Sequence, residues 1–163
     1  MEALNKHIYS WRDVERMCTQ LLAQICVSEW QPDYIVGITR GGNIPATILS
    51  NMTGIRCETI KISLRDDYSN SNCRSDAARM YDDAKLGKNI LVVDDINDTG
   101  ATFNWLTRDL GLIHSNIRFA TLTQNLSSSF DRVNYYCHEV NKAEKDVWLV
   151  YPWENVGVYY GSN

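Results

Sequence analysis

The sequence predicts an α/β fold built on a mainly parallel sheet with helices on both faces. Short apolar segments rich in β-branched residues recur along most of the chain, and each has the length of a buried strand. Segments with apolar residues at helical spacing lie between them, as the connections of a parallel sheet require. At 163 residues the chain can bury a sizeable core, and we expect residues 1–163 to form a single domain.

The positions of the helices and strands follow from these two patterns, the short apolar run and the helical spacing of apolar residues. After Ser10, which with Asp13 resembles a helix cap, apolar residues repeat at helical spacing to about Trp30. Further helices are predicted at 44–53, where Pro45 suits a first turn, and at 103–110, where Gly111 is a typical stop. Strands are predicted at residues 34–39, 57–62, 90–93, 117–123, 133–137 and 147–150.

One long segment, from Ser63 to Lys88, shows neither the apolar run of a strand nor the apolar spacing of a helix, and it is polar and charged. An insertion of this length between two strands is usually either a functional lid or a flexible loop. We favour a flexible lid, in which Asp66, Asp67 and Tyr68 would help to exclude water from a reaction. A solvated surface loop is the alternative.

Composition excludes several classes of function. The net charge is −4 and the isoelectric point is near 5.3, which argues against duplex nucleic acid as a partner. The five cysteines are scattered and indicate reduced thiols. No run approaches the roughly 18 apolar residues of a membrane span, and the N-terminus lacks the apolar core of a signal peptide. We therefore expect a cytoplasmic protein with no membrane partner.

The most informative stretch runs from Ile90 to Thr102. Four apolar residues form a strand, Asp94 and Asp95 stand at its end, and the turn 98–102 leads into a helix. In open α/β sheets, ligands bind beyond the carboxyl ends of strands, where loop amides and a helix N-terminus can hold an anion. The carboxylates suit hydroxyls or a metal ion, and the turn suits a phosphate.

A second loop of this kind, Arg40-Gly41-Gly42-Asn43, follows the strand at 34–39 and contributes the positive charge of the arginine side chain. A tight surface turn would have the same composition. Together with the first loop, however, it predicts a substrate that carries several anionic groups with a polyol between them. Phosphorylated ribose is such a molecule.

Three segments resemble a known family. Ile90 to Thr102 is similar to the signature of the type I phosphoribosyltransferases, in which apolar residues precede two acids and an acid-Thr-Gly-x-Thr turn. Thr39 to Gly42 resembles the diphosphate loop of the bacterial xanthine-guanine branch, and Asp146 to Glu154 resembles its base-binding stretch. The resemblance implies a type I phosphoribosyltransferase fold: a mainly parallel sheet flanked by helices, a flexible lid and a small C-terminal hood.

The resemblance also implies a donor, 5-phosphoribosyl 1-diphosphate (PRPP), and roles for the residues that match. Asp94 and Asp95 would hold the ribose hydroxyls, and Arg40 and Gly41 the diphosphate. Magnesium would neutralise the diphosphate, with Asp94 and Glu154 as candidate metal ligands. Asp98 would be the catalytic base. The 5-phosphate would lie in the turn, bound by amides and hydroxyls of Thr99, Gly100, Ala101 and Thr102. The Arg40–Gly41 peptide is a candidate for the cis form.

For the acceptor, the resemblance implies that Trp148 stacks on a purine, with the backbone of Leu149 and Val150 near its edge. Purine enzymes of the family place a lysine at the end of the strand after the motif helix, where it donates to a 6-oxo group. This chain has Gln124 and Asn125 there. The amide of Asn125 can donate, yet it also accepts, so selection for a 6-oxo purine stays open.

We therefore predict transfer of a 5-phosphoribosyl group to a purine-like nucleobase with release of diphosphate. Two alternatives remain: transfer to a non-purine acceptor, which the missing lysine favours, and a regulator that binds PRPP or a nucleotide without catalysis. The resemblance further implies a homodimer or homotetramer. Trp153 is expected to serve packing or a subunit contact, and the three histidines lie outside every motif.

Overall fold

A computed structural model of the chain describes residues 5–62 and 71–154. Its strands are β1 (Lys6–Ile8), β2 (Tyr34–Thr39), β3 (Cys57–Lys61), β4 (Ile90–Asn97), β5 (Ile117–Asn125), β6 (Tyr135–Val140) and β7 (Trp148–Val150). Its α-helices are α1 (Trp11–Val27), α2 (Asn43–Thr53), α3 (Ser71–Lys85) and α4 (Ala101–Asn104); α4 continues into a π-helical turn at Trp105–Asp109, and a 3₁₀ turn forms at Pro152–Glu154.

The central sheet has five parallel strands in the order β3-β2-β4-β5-β6. The chain leaves β2 toward one edge of the sheet and returns to place β4 on the other side of β2. The loops that follow β2 and β4 therefore run in opposite directions from adjacent strand ends, which leaves a crevice between them. The two loops singled out in the sequence lie at this crevice, and the predicted parallel α/β fold is confirmed.

Helices cover both faces of the sheet, as predicted. On one face α1 and α2 pack against β4 and β5, through buried residues that include Val14, Leu21, Leu49, Leu91 and Leu122. On the other face α3 and α4 pack through a second buried cluster that includes Met80, Val92, Phe103, Phe119 and Phe130. The strands of the middle of the sheet are consequently apolar on both sides, which explains why they read as continuous apolar runs.

Helix α1 begins with the predicted cap. The Ser10 hydroxyl accepts from the amide of Asp13 at 3.1 Å, and the Asp13 carboxylate accepts from the amide of Ser10 at 2.8 Å. The helix ends at Val27, about three residues before the predicted end, because Glu29 adopts a left-handed backbone conformation with φ of 58°.

The lid prediction is wrong for a large part of the segment between Ser63 and Lys88, because α3 occupies residues 71–85. Its buried side chains, Cys73, Ala77, Met80 and Ala84, recur at helical spacing and face the sheet. Residues 63–70, which include Asp66, Asp67 and Tyr68, lie outside the described residues. The apolar face of α3 was missed because small side chains carry much of it within a charged segment.

The predicted C-terminal hood is built from both ends of the chain. Strand β7 pairs in parallel with β1, with Lys6 opposite Trp148 and Ile8 opposite Val150. The sequence did not predict β1, because its three side chains are all exposed and show no apolar pattern. Of the helices in the part of the chain that the structure describes, none is both long and apolar enough to cross a bilayer.

Candidate functional site

The two sequence loops meet at the carboxyl ends of β2 and β4. A Cβ atom placed on Gly41 would lie 2.0 Å from Oδ2 of Asp95 and 2.6 Å from its Cγ, so the loop backbone rests directly on that carboxyl group. Only glycine leaves room for this approach. The cis peptide of this loop joins Thr39 to Arg40, one residue before the expected Arg40–Gly41 bond, at the point where β2 ends. The Arg40 side chain is exposed at this edge.

Asp94 and Asp95 lie near the carboxyl end of β4, which continues through Ile96 to Asn97. The Asp94 carboxylate accepts from the amide of Asp95, and the Asp95 carboxylate from the amide of Ile96, both at 2.9 Å. Burial and the neighbouring charge of Asp95 raise the pKa of Asp94 well above its usual value, and burial also raises the pKa of Asp95. Two crowded carboxyl groups of this kind favour a cation or hydroxyl donors beside them.

The turn that follows β4 lines a cavity of about 240 Å³, bounded by residues 94–103. Gly100 has a φ of 89°, and a Cβ there would lie 2.6 Å from the amide nitrogen of Phe130. The amide and hydroxyl of Ser129 both donate to the Thr99 carbonyl, at 3.0 and 2.8 Å. This bracing by the loop after β5 holds the turn rigid. The side chain of Thr99 and the start of α4 at Ala101 face solvent, and Thr102 is half-buried.

Asp98 is held from the end of β5 and from the segment that follows β6. The Asn125 amide nitrogen donates to the Asp98 carbonyl at 2.9 Å and to its carboxylate at 3.4 Å. Asn125 is 5% exposed, and its carbonyl oxygen accepts from the amides of Ser127 and Lys142. The structure thus gives Asn125 a part in positioning Asp98, and its contact with a base stays a prediction.

Sequence reasoning missed Lys142, whose ammonium lies 3.0 Å from Oδ2 of Asp98. The Lys142 side chain is 21% exposed and that of Asp98 is 41% exposed, so the pair opens on one side to solvent. Only the pairing of β5 with β6, with Asn125 opposite Val140, brings Lys142 to the end of β5. The signal in the sequence is a lysine shortly after the end of β6, the strand beside β5.

Sequence reasoning also missed Tyr151, whose buried hydroxyl donates to the Asp95 carbonyl at 3.0 Å and lies 2.9 Å from the Thr123 hydroxyl, within hydrogen-bond distance. Its ring stacks on Trp153 with a centroid distance of 4.7 Å, which agrees with the packing role expected for that tryptophan. Tyr9 extends the network, because its hydroxyl contacts both Thr123 and Nδ1 of His138. The hood is therefore tied to the end of β4.

The predicted base-binding residues differ in exposure. Trp148 is 58% exposed, and its backbone amide donates to the Asn5 carbonyl at 2.8 Å. The side chain of the next residue, Leu149, packs into the core that α1 and α2 share with the sheet. Strand β7 therefore presents an indole that is more than half exposed, as stacking on a planar ring requires.

The residues predicted to hold magnesium provide oxygen donors only, as this cation prefers. Burial, together with the negative charge of Asp95, raises the pKa of Glu154, so the 3₁₀ turn at the C-terminal side faces the same charged region. Within the described ranges no cluster of three or more His, Cys, Asp or Glu could hold a metal ion alone. The donor set fits a magnesium ion that takes its remaining ligands from substrate and water.

Residues 5–154 match the model of the phosphoribosyl transferase domain family. The match covers most of the chain, and the chain therefore belongs to this family. The fold is that of the type I phosphoribosyltransferases.

Solved structures agree with this fold. A purine phosphoribosyltransferase from Pyrococcus horikoshii is 24% identical, with a TM-score of 0.65 over 92% of this chain and 94% of that one. The xanthine-guanine-hypoxanthine phosphoribosyltransferase of Helicobacter pylori is 20% identical, with a TM-score of 0.68 over 94% and 95%. A hypothetical protein from Neisseria gonorrhoeae, solved with bound ppGpp, is 20% identical, with a TM-score of 0.73 over 96% and 93%. At these identities the likeness is one of fold.

Proposed function

We propose that the protein is a magnesium-dependent phosphoribosyltransferase that moves a 5-phosphoribosyl group from PRPP to a purine-like base and releases diphosphate. The observation that carries the proposal is the meeting of two loops at one crevice. The turn 98–102 offers a cavity of about 240 Å³, and Gly41 rests on the carboxyl group of Asp95. A phosphate site and a diphosphate loop on either side of two carboxylates fit a ribose phosphorylated at both ends.

In this proposal each part of the donor has its own residues. The 5-phosphate lies in the turn, against the backbone amides of Gly100 and Ala101 and the hydroxyls of Thr99 and Thr102. Asp94 and Asp95 accept hydrogen bonds from the ribose hydroxyls. The diphosphate lies along the backbone of Gly41 beside the Arg40 guanidinium, whose fixed positive charge attracts it.

The reaction exchanges two bonds at the anomeric carbon. The bond to the diphosphate oxygen breaks while a ring nitrogen of the base bonds to the same carbon, and positive charge develops on the sugar between them. A carboxylate beside the incoming base can take the proton that the base gives up, and we assign this role to Asp98. Asp94 and Glu154 would hold a magnesium ion together with substrate oxygens, and the ion would neutralise the leaving diphosphate when bound.

The acceptor is proposed to bind on the hood. Trp148 stacks on the ring and the Leu149 backbone lies at its edge, and the support for this is the exposed indole on a rigid two-stranded sheet. A homodimer or homotetramer and a cytoplasmic location are proposed from the same family resemblance.

The test is turnover with PRPP, magnesium and a panel of bases, read as diphosphate release, for wild type and Asp98→Asn. We expect release with one class of base, and a fall in kcat on the order of 100-fold in the variant, which is the usual contribution of a general base. PRPP binding without turnover for any base would favour a regulator. Turnover with pyrimidines alone would favour the non-purine alternative. Unchanged turnover in Asp98→Asn would remove that residue from the mechanism.

A further inference from the structure

We infer that His138 donates a hydrogen bond from Nδ1 to Tyr9, and that a row of hydroxyl groups passes this ordered donation on to the backbone of Asp95. His138 is thereby a positioning residue for the crevice, although it lies outside the loops that form it. The placement of the hydrogens is independent of the proposed reaction. The effect on turnover rests on that reaction, and the two can be measured separately.

Four contacts in a row join His138 to Asp95. The Tyr9 hydroxyl contacts Nδ1 of His138 and lies 2.9 Å from the hydroxyl of Thr123. The Thr123 hydroxyl lies 2.9 Å from that of Tyr151, which lies 3.0 Å from the carbonyl oxygen of Asp95. Tyr9, Thr123 and Tyr151 are 4%, 0% and 2% exposed, so the row is closed to water.

The number of hydrogens fixes the direction of every bond in this row. Each hydrogen bond uses one hydrogen, and the three hydroxyl groups supply only three for the four contacts. The carbonyl oxygen of Asp95 can only accept, so Tyr151 donates to it. Thr123 must then donate to Tyr151, and Tyr9 to Thr123. The fourth hydrogen can come only from Nδ1 of His138.

The opposite tautomer would leave one contact without a hydrogen. If Nδ1 of His138 carried none, Tyr9 would donate to it, and the hydroxyl of Thr123 could serve only one of its two neighbours. Two buried oxygen atoms would then face each other at 2.9 Å with no hydrogen between them. Avoiding this unpaired contact favours the Nδ1–H tautomer on the order of tenfold or more. A second proton on Nε2 keeps the donor on Nδ1, so the arrangement holds for the neutral and the charged ring.

The row ends on the residue that supports the loop at Gly41. The Asp95 carbonyl accepts its hydrogen bond from the hood, whereas the carboxyl group of the same residue lies directly under Gly41, where a Cβ atom would be 2.0 Å from Oδ2. A rotation of the Asp95 peptide would therefore shift the surface on which that loop rests. Because hydrogen bonds in a buried row strengthen one another, loss of the donor at His138 also weakens the bond to Asp95.

The first test is the tautomer of His138 in the wild-type protein, read from two-bond nitrogen–proton NMR spectra of histidine-labelled protein at pH 8. Burial lowers the pKa of His138, so its ring is neutral there. We expect the hydrogen on Nδ1. His114 is an internal reference, because its Nδ1 accepts from the amide of Asn116 at 3.1 Å and its hydrogen must lie on Nε2. A His138 ring with its hydrogen on Nε2 would overturn the inference.

The second test changes the far end of the row and observes the same ring. In Tyr151→Phe and in Thr123→Val the remaining hydroxyl hydrogens suffice for the remaining contacts, so Nδ1 no longer has to donate. The ratio of Nε2–H to Nδ1–H tautomer of His138 should rise on the order of tenfold in both variants. Tyr135→Phe removes a buried hydroxyl from β6 that accepts from Arg118, and it should leave the ring unchanged. The same tautomer ratio in wild type, Tyr151→Phe and Thr123→Val would contradict the ordered row.

The third test is turnover with PRPP, magnesium and the panel of bases. His138→Leu removes the donor and should lower kcat/KM for PRPP on the order of tenfold, less than the roughly 100-fold effect of a displacement of about 1 Å. His138→Asn should recover most of the loss, because its amide nitrogen lies at the position of Nδ1 and can donate. Tyr135→Phe should match the wild type.

The outcomes separate this inference from the proposed reaction. Equal kcat/KM in His138→Leu and wild type would show that His138 does not position the site. A wild type that carries the Nδ1–H tautomer but turns over no base would overturn the proposed reaction alone.

Discussion

The contact between Gly41 and Asp95 leads to the sharpest prediction about the site. Replacing Gly41 by alanine adds one methyl group, which would lie 2.0 Å from Oδ2 and 2.6 Å from Cγ of Asp95. The φ of Gly41 lies outside the left-handed region, so the new side chain causes no backbone strain there. Whatever Gly41→Ala costs therefore comes from this collision.

The size of the effect follows from the distances. Ordinary carbon–oxygen contacts lie well beyond 3 Å, so the Asp95 carboxyl group or the loop has to move by about 1 Å or more. Overpacking of this kind costs about 1–3 kcal/mol of unfolding free energy. A displacement of about 1 Å at a reacting site lowers the rate on the order of 100-fold. Urea unfolding and kcat/KM for PRPP measure the two effects.

A double-mutant cycle isolates the collision. Asp95→Ala removes the three atoms that the methyl group would touch, so Gly41→Ala should cost little stability in that background, with a coupling free energy of about 1–3 kcal/mol. Additive losses of stability in the double variant would refute the reasoning, as would a Gly41→Ala protein with wild-type stability and kcat/KM.

Four further predictions concern Asp94, Tyr151, Trp148 and Trp153. In metal-free buffer the melting temperature of Asp94→Asn should exceed that of the wild type by an amount that grows from about pH 4 to about pH 8. The raised pKa of Asp94 gives the wild-type folded state stability that is present below the unfolded pKa of about 4 and lost as the pH rises, and asparagine does not titrate. A difference from wild type that is independent of pH would contradict this. Tyr151→Phe should lower the free energy of unfolding in urea by about 1–2 kcal/mol, because the half-buried Asp95 carbonyl loses its 3.0 Å donor. An unchanged midpoint would contradict this. Trp148→Ala should raise the KM of the base on the order of tenfold with little change in melting temperature. Trp153→Ala should lower the melting temperature instead, because that ring stacks on Tyr151.

The sequence predicted the sheet and the two loops at the carboxyl ends of β2 and β4, for a physical reason. Strands buried on both faces are continuous apolar runs, and the residues of the turn from Asp98 to Thr102 are contiguous in the chain. Each of these signals is local. The same is true of the cap at Ser10, whose two hydrogen bonds span only three residues.

The features that the sequence did not reveal depend on distant parts of the chain. Strand β1 exists because β7 offers it backbone partners, and Lys142 reaches Asp98 because β6 pairs with β5. Tyr151 contacts the Asp95 carbonyl across 56 positions of sequence. Helix α3 was hidden for a different reason: much of its apolar face is alanine, which gives a weak periodic signal beside many charges.

The central claim is that this crevice transfers a phosphoribosyl group. Phosphorus-31 NMR of the protein with PRPP, magnesium and an oxopurine tests it most directly, because it follows the donor, diphosphate and the nucleotide product in one sample. We predict that the PRPP signals decrease while diphosphate and a nucleoside 5′-monophosphate increase in equal amounts, and that no nucleotide forms without the base. Unchanged PRPP, or diphosphate release without any nucleotide for every base in the panel, would contradict the claim.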